Sequence, residues 1–176
     1  MSPAAESIGD LPERVMATSA FKPGVLIAAA LVALDQMTKW LALTLLRPYE
    51  PVEVLPFLNL RLAFNPGAAF SFLADGDGWQ RWFFVAVALA ISAYLLVWLR
   101  GLPRSDWLQA LGVAGVLGGA VGNLVDRLML GVVVDFIDLH LAGWHWPTFN
   151  VADSAITVGV VLLLIGLFRE SRTCRK

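Results

Sequence analysis

Four long apolar stretches constrain the fold of this chain more than any other feature of its sequence. A helix needs about 17 to 25 apolar residues to cross the roughly 30 Å of hydrocarbon in a bilayer. Only 15% of the 176 residues are charged and 58% are hydrophobic, whereas soluble domains have about 25% charged residues. We therefore predict an all-α membrane protein with four transmembrane helices in a single integral membrane domain, 1–176. The predicted spans are about 24–46, 82–99, 107–130 and 151–168.

The first stretch has an alternative interpretation as a cleaved signal peptide, because its beginning has the length of a signal-peptide apolar core. However, the apolar stretch continues past Asp35 to Leu46, and no small-residue cleavage site follows before Arg47. The sequence therefore favours an uncleaved span.

Basic residues indicate the orientation of the spans, because cytoplasmic connections carry an excess of Lys and Arg. Arg100 and Arg104 lie in the short second connection, and the tail after 168 is rich in arginine. The connection 131–150 has neither Lys nor Arg, and 47–81 has few for its length. We therefore predict that both termini are cytoplasmic and that these two longer connections lie outside.

The two outer connections carry signals of β-structure. Over 58–65, Leu or Phe alternates with polar or small residues, which is the period-two pattern of a half-buried strand. The β-branched run 132–134 predicts an extended segment that ends at Asp135. We expect a small extracytoplasmic β-sheet, or cradle, on the outer face of the helices.

One charged pair lies inside the first span. Near the middle of a span, an aspartate such as Asp35 costs about 2.5 to 3.5 kcal/mol on an insertion scale. Lys39 follows four residues later, on the same helical face. The spacing predicts an ion pair with a structural role, and direct participation in chemistry is the alternative.

Three aspartates are predicted to meet near the outer face. Asp126 lies about one turn inside the outer end of the third span, Asp135 follows the extended run, and Asp153 opens the fourth span. Asn123 and Asn150 precede two of them by three residues. Two carboxylates held close cannot both ionise easily, so one keeps a proton. A base for water and an acid for an amide then coexist, which predicts peptide hydrolysis without a metal or a covalent intermediate.

Other catalytic chemistries have less support. His140 and His145 lack the H-E-x-x-H arrangement of a zinc site, and the serines have no G-x-S-x-G context. Cys174 lies in a basic tail with no nearby histidine. We therefore expect no metal and no cofactor. The formal net charge of −1 gives no reason to expect a nucleic acid partner.

Five blocks of sequence carry these polar residues, in an order that covers about Asp35 to Leu167. They are DQMTK at 35–39, NPGAAF at 65–70, GGAVGNLVDR at 118–127, VDF at 134–136 and FNVADS at 149–154. With these blocks in this order, the chain resembles the lipoprotein signal peptidase family, also called signal peptidase II or prolipoprotein signal peptidase. Pro66 is the one departure, at a position where the family pattern tolerates variation.

The resemblance implies a hydrolase of the bacterial cell inner (plasma) membrane, an aspartyl protease that removes the signal peptide from diacylglyceryl-modified prolipoproteins. The cut falls just before the lipid-modified cysteine, and the partners are these lipid-modified signal peptides and membrane lipids. The resemblance implies a catalytic dyad of Asp135 and Asp153 and a structural role for Asp35 and Lys39. It implies substrate-binding or site-supporting roles for Asn65, Gly67, Asn123, Asp126, Arg127 and Asn150.

Asp126 is the rival of Asp135 as the partner of Asp153, because it has the same spacing from an asparagine. It precedes Arg127 inside a regular helical turn, where a neighbouring cation favours a permanently ionised carboxylate. We therefore expect Asp126 to orient Arg127 and not to alternate as acid and base.

Two other classes of function remain open from the residues alone. Intramembrane carboxylates also build ion pathways, so a small transporter or proton channel is the second hypothesis. A membrane scaffold that assembles through the glycines of the third span is the third hypothesis. Cleavage of a lipidated precursor by the purified protein separates the peptidase from both.

Overall fold

The computed structural model describes residues 19–48, 50–67 and 78–173. These residues form four long helices and a small sheet, and each helix overlaps one predicted span and is long and apolar enough to cross a membrane. The predicted fold class, four transmembrane helices with a small sheet, is confirmed. In chain order the elements are α1 (Phe21–Leu45), β1 (Val52–Leu55), β2 (Leu58–Asn65), α2 (Trp79–Gly101), α3 (Trp107–Met129), β3 (Val133–Leu141), β4 (Trp144–His145) and α4 (Val151–Thr173).

Helix α3 lies at the centre of the bundle. Within its most apolar window 61% of the residues are buried, against 28% or less in the other three helices. Those helices direct large apolar side chains such as Leu26, Trp82 and Val97 outward, where hydrocarbon would surround them. The polar groups that α3 carries are therefore enclosed by protein on several sides.

The glycines of α3 bring its backbone against two neighbours. Gly115 and Gly119 face α4, and a Cβ at Gly119 would overlap the carbonyl oxygen of Ala152. Gly118 faces α1, where a Cβ would lie 2.9 Å from the carbonyl oxygen of Ala28. Small residues at these spacings permit close helix packing in a bilayer. The glycine pattern thus serves two helix contacts, one on each side of α3.

The sheet is antiparallel, with the strand order β1-β2-β3-β4. Because β2 precedes α2 and β3 follows α3, their pairing places the two longer connections at the same end of the bundle. Leu62, Val134 and Phe136 bury one side of the sheet against Ala42 of α1. The extended segment predicted to end at Asp135 is longer than expected, since β3 continues to Leu141.

A β-bulge interrupts the alternation that the sequence predicts in β2. Leu60 pairs with Ile137 and Ala63 with Asp135, so β2 has one more residue than β3 between these two pairs. An extra residue exchanges the two faces of a strand for everything beyond it. Asn65 therefore points to the same side of the sheet as Asp135.

Candidate active site

The first turn of α4 fixes the position of Asp153. Oδ1 of Asn150 accepts a hydrogen bond from the backbone N–H of Asp153 at 2.9 Å, and Oδ2 of Asp153 accepts one from the backbone N–H of Asn150 at 3.2 Å. This reciprocal pair has the arrangement of a capping box, with Asn and Asp at the two positions. The helix start therefore holds the Asp153 carboxylate in one orientation.

Asp135 is the third residue of β3, and its side chain is buried. Asn65 donates its Nδ2–H to Oδ2 of Asp135 at 3.2 Å, and Asn150 donates its Nδ2–H to Oδ1 at 2.6 Å. Backbone hydrogen bonds between Phe149 and Ile137 bring Asn150 alongside the strand. Asp135 is thus held between two asparagine amides.

The two carboxylates share their hydrogen-bond partners. Asn150 bonds to both Asp135 and Asp153, and Asn123 donates its Nδ2–H to Oδ1 of Asp153 at 2.7 Å. Oδ1 of Asn123 in turn accepts from Nδ2 of Asn150 at 3.1 Å. The structure therefore brings together the aspartates and asparagines that the sequence places on three separate elements.

The pKa of Asp135 is raised from its ordinary value to about 7, first by burial and then by the negative charge of Asp153. The hydrogen bonds from Asn65 and Asn150 and the positive charge of Lys39 act in the opposite direction. A carboxyl with this pKa holds a proton in a large fraction of molecules at neutral pH. Asp135 can therefore serve as a proton donor beside a second carboxylate.

A second polar group, which we name the lysine cluster, consists of Asp35, Lys39 and Asp126. Nζ of Lys39 lies 2.8 Å from Oδ2 of Asp35 and 2.9 Å from Oδ2 of Asp126. It also donates a hydrogen bond to Oδ1 of Asn123 at 2.9 Å. These contacts use all three donors of the ammonium group. The predicted contact between Asp35 and Lys39 is present, and Lys39 binds α3 as well.

Asp35 also reaches the start of α4. Its Oδ1 accepts a hydrogen bond from the backbone N–H of Ala152 at 2.8 Å. The first N–H groups of a helix have no partner within the helix, and an anion near them is favourable. Asp35 therefore ties α1 to the helix turn that carries Asp153.

The structure corrects the expected task of Asp126. Its ion-pair partner is Lys39 of α1 and not the adjacent Arg127, because the side chains of 126 and 127 leave the helix in different directions. Oδ2 of Asp126 also accepts the backbone N–H of Val134 at 3.0 Å. Asp126 therefore supports the strand residue that immediately precedes Asp135.

Gly67 completes the turn that orients Asn65. Oδ1 of Asn65 accepts the backbone N–H of Gly67 at 2.8 Å, which leaves the Nδ2–H group directed to Asp135. Gly67 has φ +99°, and a Cβ there would overlap the ring of Phe84. Both the backbone conformation and the neighbouring ring require glycine at this position. The rest of that sequence block, 68–70, lies outside the described residues, as does Cys174.

The sequence of this chain is similar to that of a known protein family. Residues 27–169 match the family described as signal peptidase (SPase) II. The chain belongs to the signal peptidase II family. It is 54% identical over 145 residues to the "Lipoprotein signal peptidase" of Polynucleobacter necessarius, which covers 82% of this chain and 88% of that protein. It is 49% identical over 149 residues to that of Pseudomonas syringae pv. tomato, covering 84% and 86%. The family resemblance predicted from the sequence is confirmed.

Two solved structures, each described as a bacterial membrane enzyme structure obtained by the in meso method, share the fold. One has a TM-score of 0.76 and 33% identity and covers 87% of this chain and 92% of its own. The other has a TM-score of 0.75 and 34% identity and covers 85% and 94%. The chain is thus a bacterial membrane protein of a peptidase family.

One buried carboxylate in this member of the signal peptidase II family was not predicted from the sequence. Asp138 of β3 is buried, lies 2.8 Å from Nδ1 of His145, and accepts a long hydrogen bond from Nδ2 of Asn59 at 3.4 Å. His145 also stacks on His140, with 5.0 Å between the ring centroids. Because side chains alternate along a strand, Asp138 points to the opposite face from Asp135. This spacing of three residues was the feature of the sequence from which a separate position for Asp138 could have been predicted.

Among the described residues, no group of three or more His, Cys, Asp or Glu is arranged to hold a metal ion.

An apolar groove of about 470 Å³ reaches Asp153 from the α4 side. Leu139, Trp146 and Phe149 line it from the sheet end, and Thr157 and Val158 line it from the helix. Val158 and Trp146 are exposed, so the groove is open to the surroundings of the bundle. An apolar group in this groove would lie beside one of the two carboxylates.

Proposed function

We propose that this chain is an aspartyl endopeptidase that removes the signal peptide from diacylglyceryl-modified prolipoproteins, cutting just before the lipid-modified cysteine. The observation that carries the proposal is a buried Asp135 with a pKa of about 7, joined to Asp153 through shared asparagines. The relatives named lipoprotein signal peptidase support the substrate class. Asp135 and Asp153 are the proposed catalytic residues.

In the proposed mechanism, the ionised Asp153 removes a proton from a water molecule whose oxygen attacks the scissile carbonyl carbon. Asp135 donates its proton to the carbonyl oxygen, and a tetrahedral intermediate forms. The carbon–nitrogen bond then breaks as Asp153 transfers its proton to the leaving nitrogen. The hydroxyl proton returns to Asp135 as the new carboxyl group forms. One water is consumed, and no covalent enzyme intermediate is needed.

The surrounding residues have supporting roles in this proposal. Asn65, Asn123 and Asn150 orient the two carboxylates by hydrogen bonds, and Gly67 fixes the Asn65 turn. The Nε–H of Arg127 is buried without a partner among the described residues. A carbonyl group of the substrate is a suitable acceptor for it.

The apolar groove beside Asp153 supports a lipid-modified substrate, because an acyl chain placed there would not have to leave apolar surroundings. The distribution of Lys and Arg supports cytoplasmic termini and a site near the outer face of the inner membrane. In intact cells, a cysteine at Gly143 should react with an impermeant thiol reagent, and a cysteine at Ser105 should not. The reverse labelling would contradict the proposed orientation.

The proposal is tested with purified protein and a synthetic lipidated precursor. We expect the wild type to yield the shortened lipopeptide and to leave the same precursor intact when its cysteine carries no lipid. Asp135→Asn and Asp153→Asn should each lower turnover by about 10² to 10⁴-fold, with nearly unchanged substrate binding. The double variant should be no worse than either single variant, because the pair acts as a unit.

Asp106→Asn is the matched control, since Asp106 lies at the opposite end of α3. It should cleave at the wild-type rate. Substantial cleavage by well-folded Asp135→Asn would contradict the dyad. Failure of the wild type to cleave would contradict the proposed activity and favour the alternative hypothesis of a small transporter or proton channel.

A further inference from the structure

Phe84 of α2 contacts two parts of the candidate site that are distant in sequence. The guanidinium carbon of Arg127 lies 5.0 Å from the centroid of the Phe84 ring, within the range of a cation–π interaction. The ring also packs against Gly67, where a Cβ would overlap it. Nothing in the apolar pattern of α2 separates Phe84 from its neighbours, so the sequence alone indicates no role for it.

Arg127 is attracted by the charges of Asp153, Asp126 and Asp135, but it has few direct contacts besides Phe84. Its Nη1 donates to the carbonyl oxygen of Asn123 at 3.3 Å, which is long for a hydrogen bond. Its Nε–H is buried and has no partner among the described residues, and Asp126 is paired with Lys39 instead. A planar guanidinium is well held by an aromatic face. The Phe84 ring is therefore placed to hold the Arg127 guanidinium.

The same ring supports the turn of Asn65 and Gly67. This turn directs Nδ2 of Asn65 to Oδ2 of Asp135. Because Gly67 packs against the ring, removing the ring would leave space beneath the turn. A displaced turn would weaken the hydrogen bond to Asp135.

We propose that Phe84 is a positioning residue that holds both the Arg127 guanidinium and the Asn65–Gly67 turn in the geometry required for cleavage. The proposal rests on the proposed function. Phe84 acts through its aromatic face and touches no reacting atom. Leucine fills much of the same space but has no such face, whereas tyrosine and tryptophan keep it.

The test compares Phe84→Leu, Phe84→Tyr and Phe84→Trp for cleavage of a lipidated precursor. Since a displacement of about 1 Å in a site can cost about 100-fold in rate, we expect Phe84→Leu to lower kcat/KM by about 10- to 100-fold. Phe84→Tyr should retain most activity, and Phe84→Trp should retain more than Phe84→Leu. Phe21→Leu is the matched control, because the Phe21 ring at the start of α1 contacts Arg100 at the same 5.0 Å distance, at the other end of the bundle.

A double-mutant cycle with Arg127→Met separates positioning from a general loss of stability. Because Phe84 supports Arg127 as well as the Asn65–Gly67 turn, the part of the Phe84→Leu loss that passes through Arg127 should disappear in the Arg127→Met background. Multiplicative losses, or equal losses in Phe84→Leu and Phe84→Tyr, would overturn the proposal. An active Phe84→Leu variant would overturn the role of Phe84 alone, whereas an inactive wild type would overturn the proposed function.

Discussion

The site contains two pairs of aspartates, one in the lysine cluster and one formed by Asp135 and Asp153. Asn123 is hydrogen-bonded to both groups, to Lys39 in the first and to Asp153 in the second. In the lysine cluster, Asp35 and Asp126 face one ammonium group at 2.8 and 2.9 Å. Among the described residues, the donors bonded to Asp135 and Asp153 are amide N–H groups. A full cation contacts both carboxylates of the lysine cluster directly, whereas neutral amide groups form the hydrogen bonds to Asp135 and Asp153. This difference agrees with a structural role for the lysine cluster and with the catalytic role proposed for Asp135 and Asp153.

The same Asn-x-x-Asp spacing occurs in both groups. Asn123 and Asp126 lie within α3, where the spacing places them on one helical face. Asn150 and Asp153 lie at the start of α4, where the same spacing forms a cap. The position along a helix, and not the spacing, decides what an aspartate in this pattern does.

The largest expected effect separates the two aspartates of this pattern. Asp153→Asn should remove turnover in a folded protein, whereas Asp126→Asn should weaken folding or binding and leave some turnover, because Asp126 pairs with Lys39 and supports β3. Cleavage rates and thermal midpoints of both purified variants are the measurement. A dead but well-folded Asp126→Asn, alongside an active Asp135→Asn, would move the dyad to Asp126 and Asp153.

The next effect is on stability. Lys39→Met should destabilise the fold by about 3 to 5 kcal/mol, because it leaves two buried carboxylates without their cation. Asp35→Asn should also lower the amount of folded protein, since it removes a partner of Lys39 and of Ala152. Yield and thermal midpoint measure both effects, with Arg47→Met as a control at an exposed ion pair. A stable but fully inactive Asp35→Asn would contradict a structural role.

The smallest effect is on the pH profile. The proposed mechanism needs a protonated Asp135, so kcat/KM should fall as pH rises through about 7. The hydrogen bond from Asn65 favours the charged form, and Asn65→Ala should therefore raise the pKa and move the alkaline limb to higher pH. The shift should be about 0.4 to 1 pH unit, since a hydrogen bond contributes about 0.5 to 1.5 kcal/mol and one pKa unit corresponds to about 1.4 kcal/mol.

Asn59→Ala is the matched control for that shift, because Asn59 also lies on β2 and donates to a different aspartate of β3, Asp138. It should leave the alkaline limb in place. If the alkaline limb does not move in Asn65→Ala, or moves equally in Asn59→Ala, the limb does not report the titration of Asp135.

The sequence predicted the elements well and their contacts less well. Four spans, the sheet and the Asp35–Lys39 contact follow from hydrophobic runs and helical spacing, which are local properties. The contact of Lys39 with Asn123, 84 positions later, depends on how α1 packs against α3. The bulge in β2 depends on pairing with β3, so no pattern within 58–65 announced that Asn65 would face Asp135.

The glycine contacts of α3 have a mechanical consequence. At Gly115 and Gly119 no side chains separate the backbones of α3 and α4. The two helices therefore have no intervening side chains at these positions that could repack to let them shift. Helices α3 and α4, which carry Asn123 and Asp153, should therefore move together as one rigid unit. An opening that admits a bulky substrate is then expected on the other side of the site. There, side chains of α2 and of the sheet form the boundary and can change rotamer.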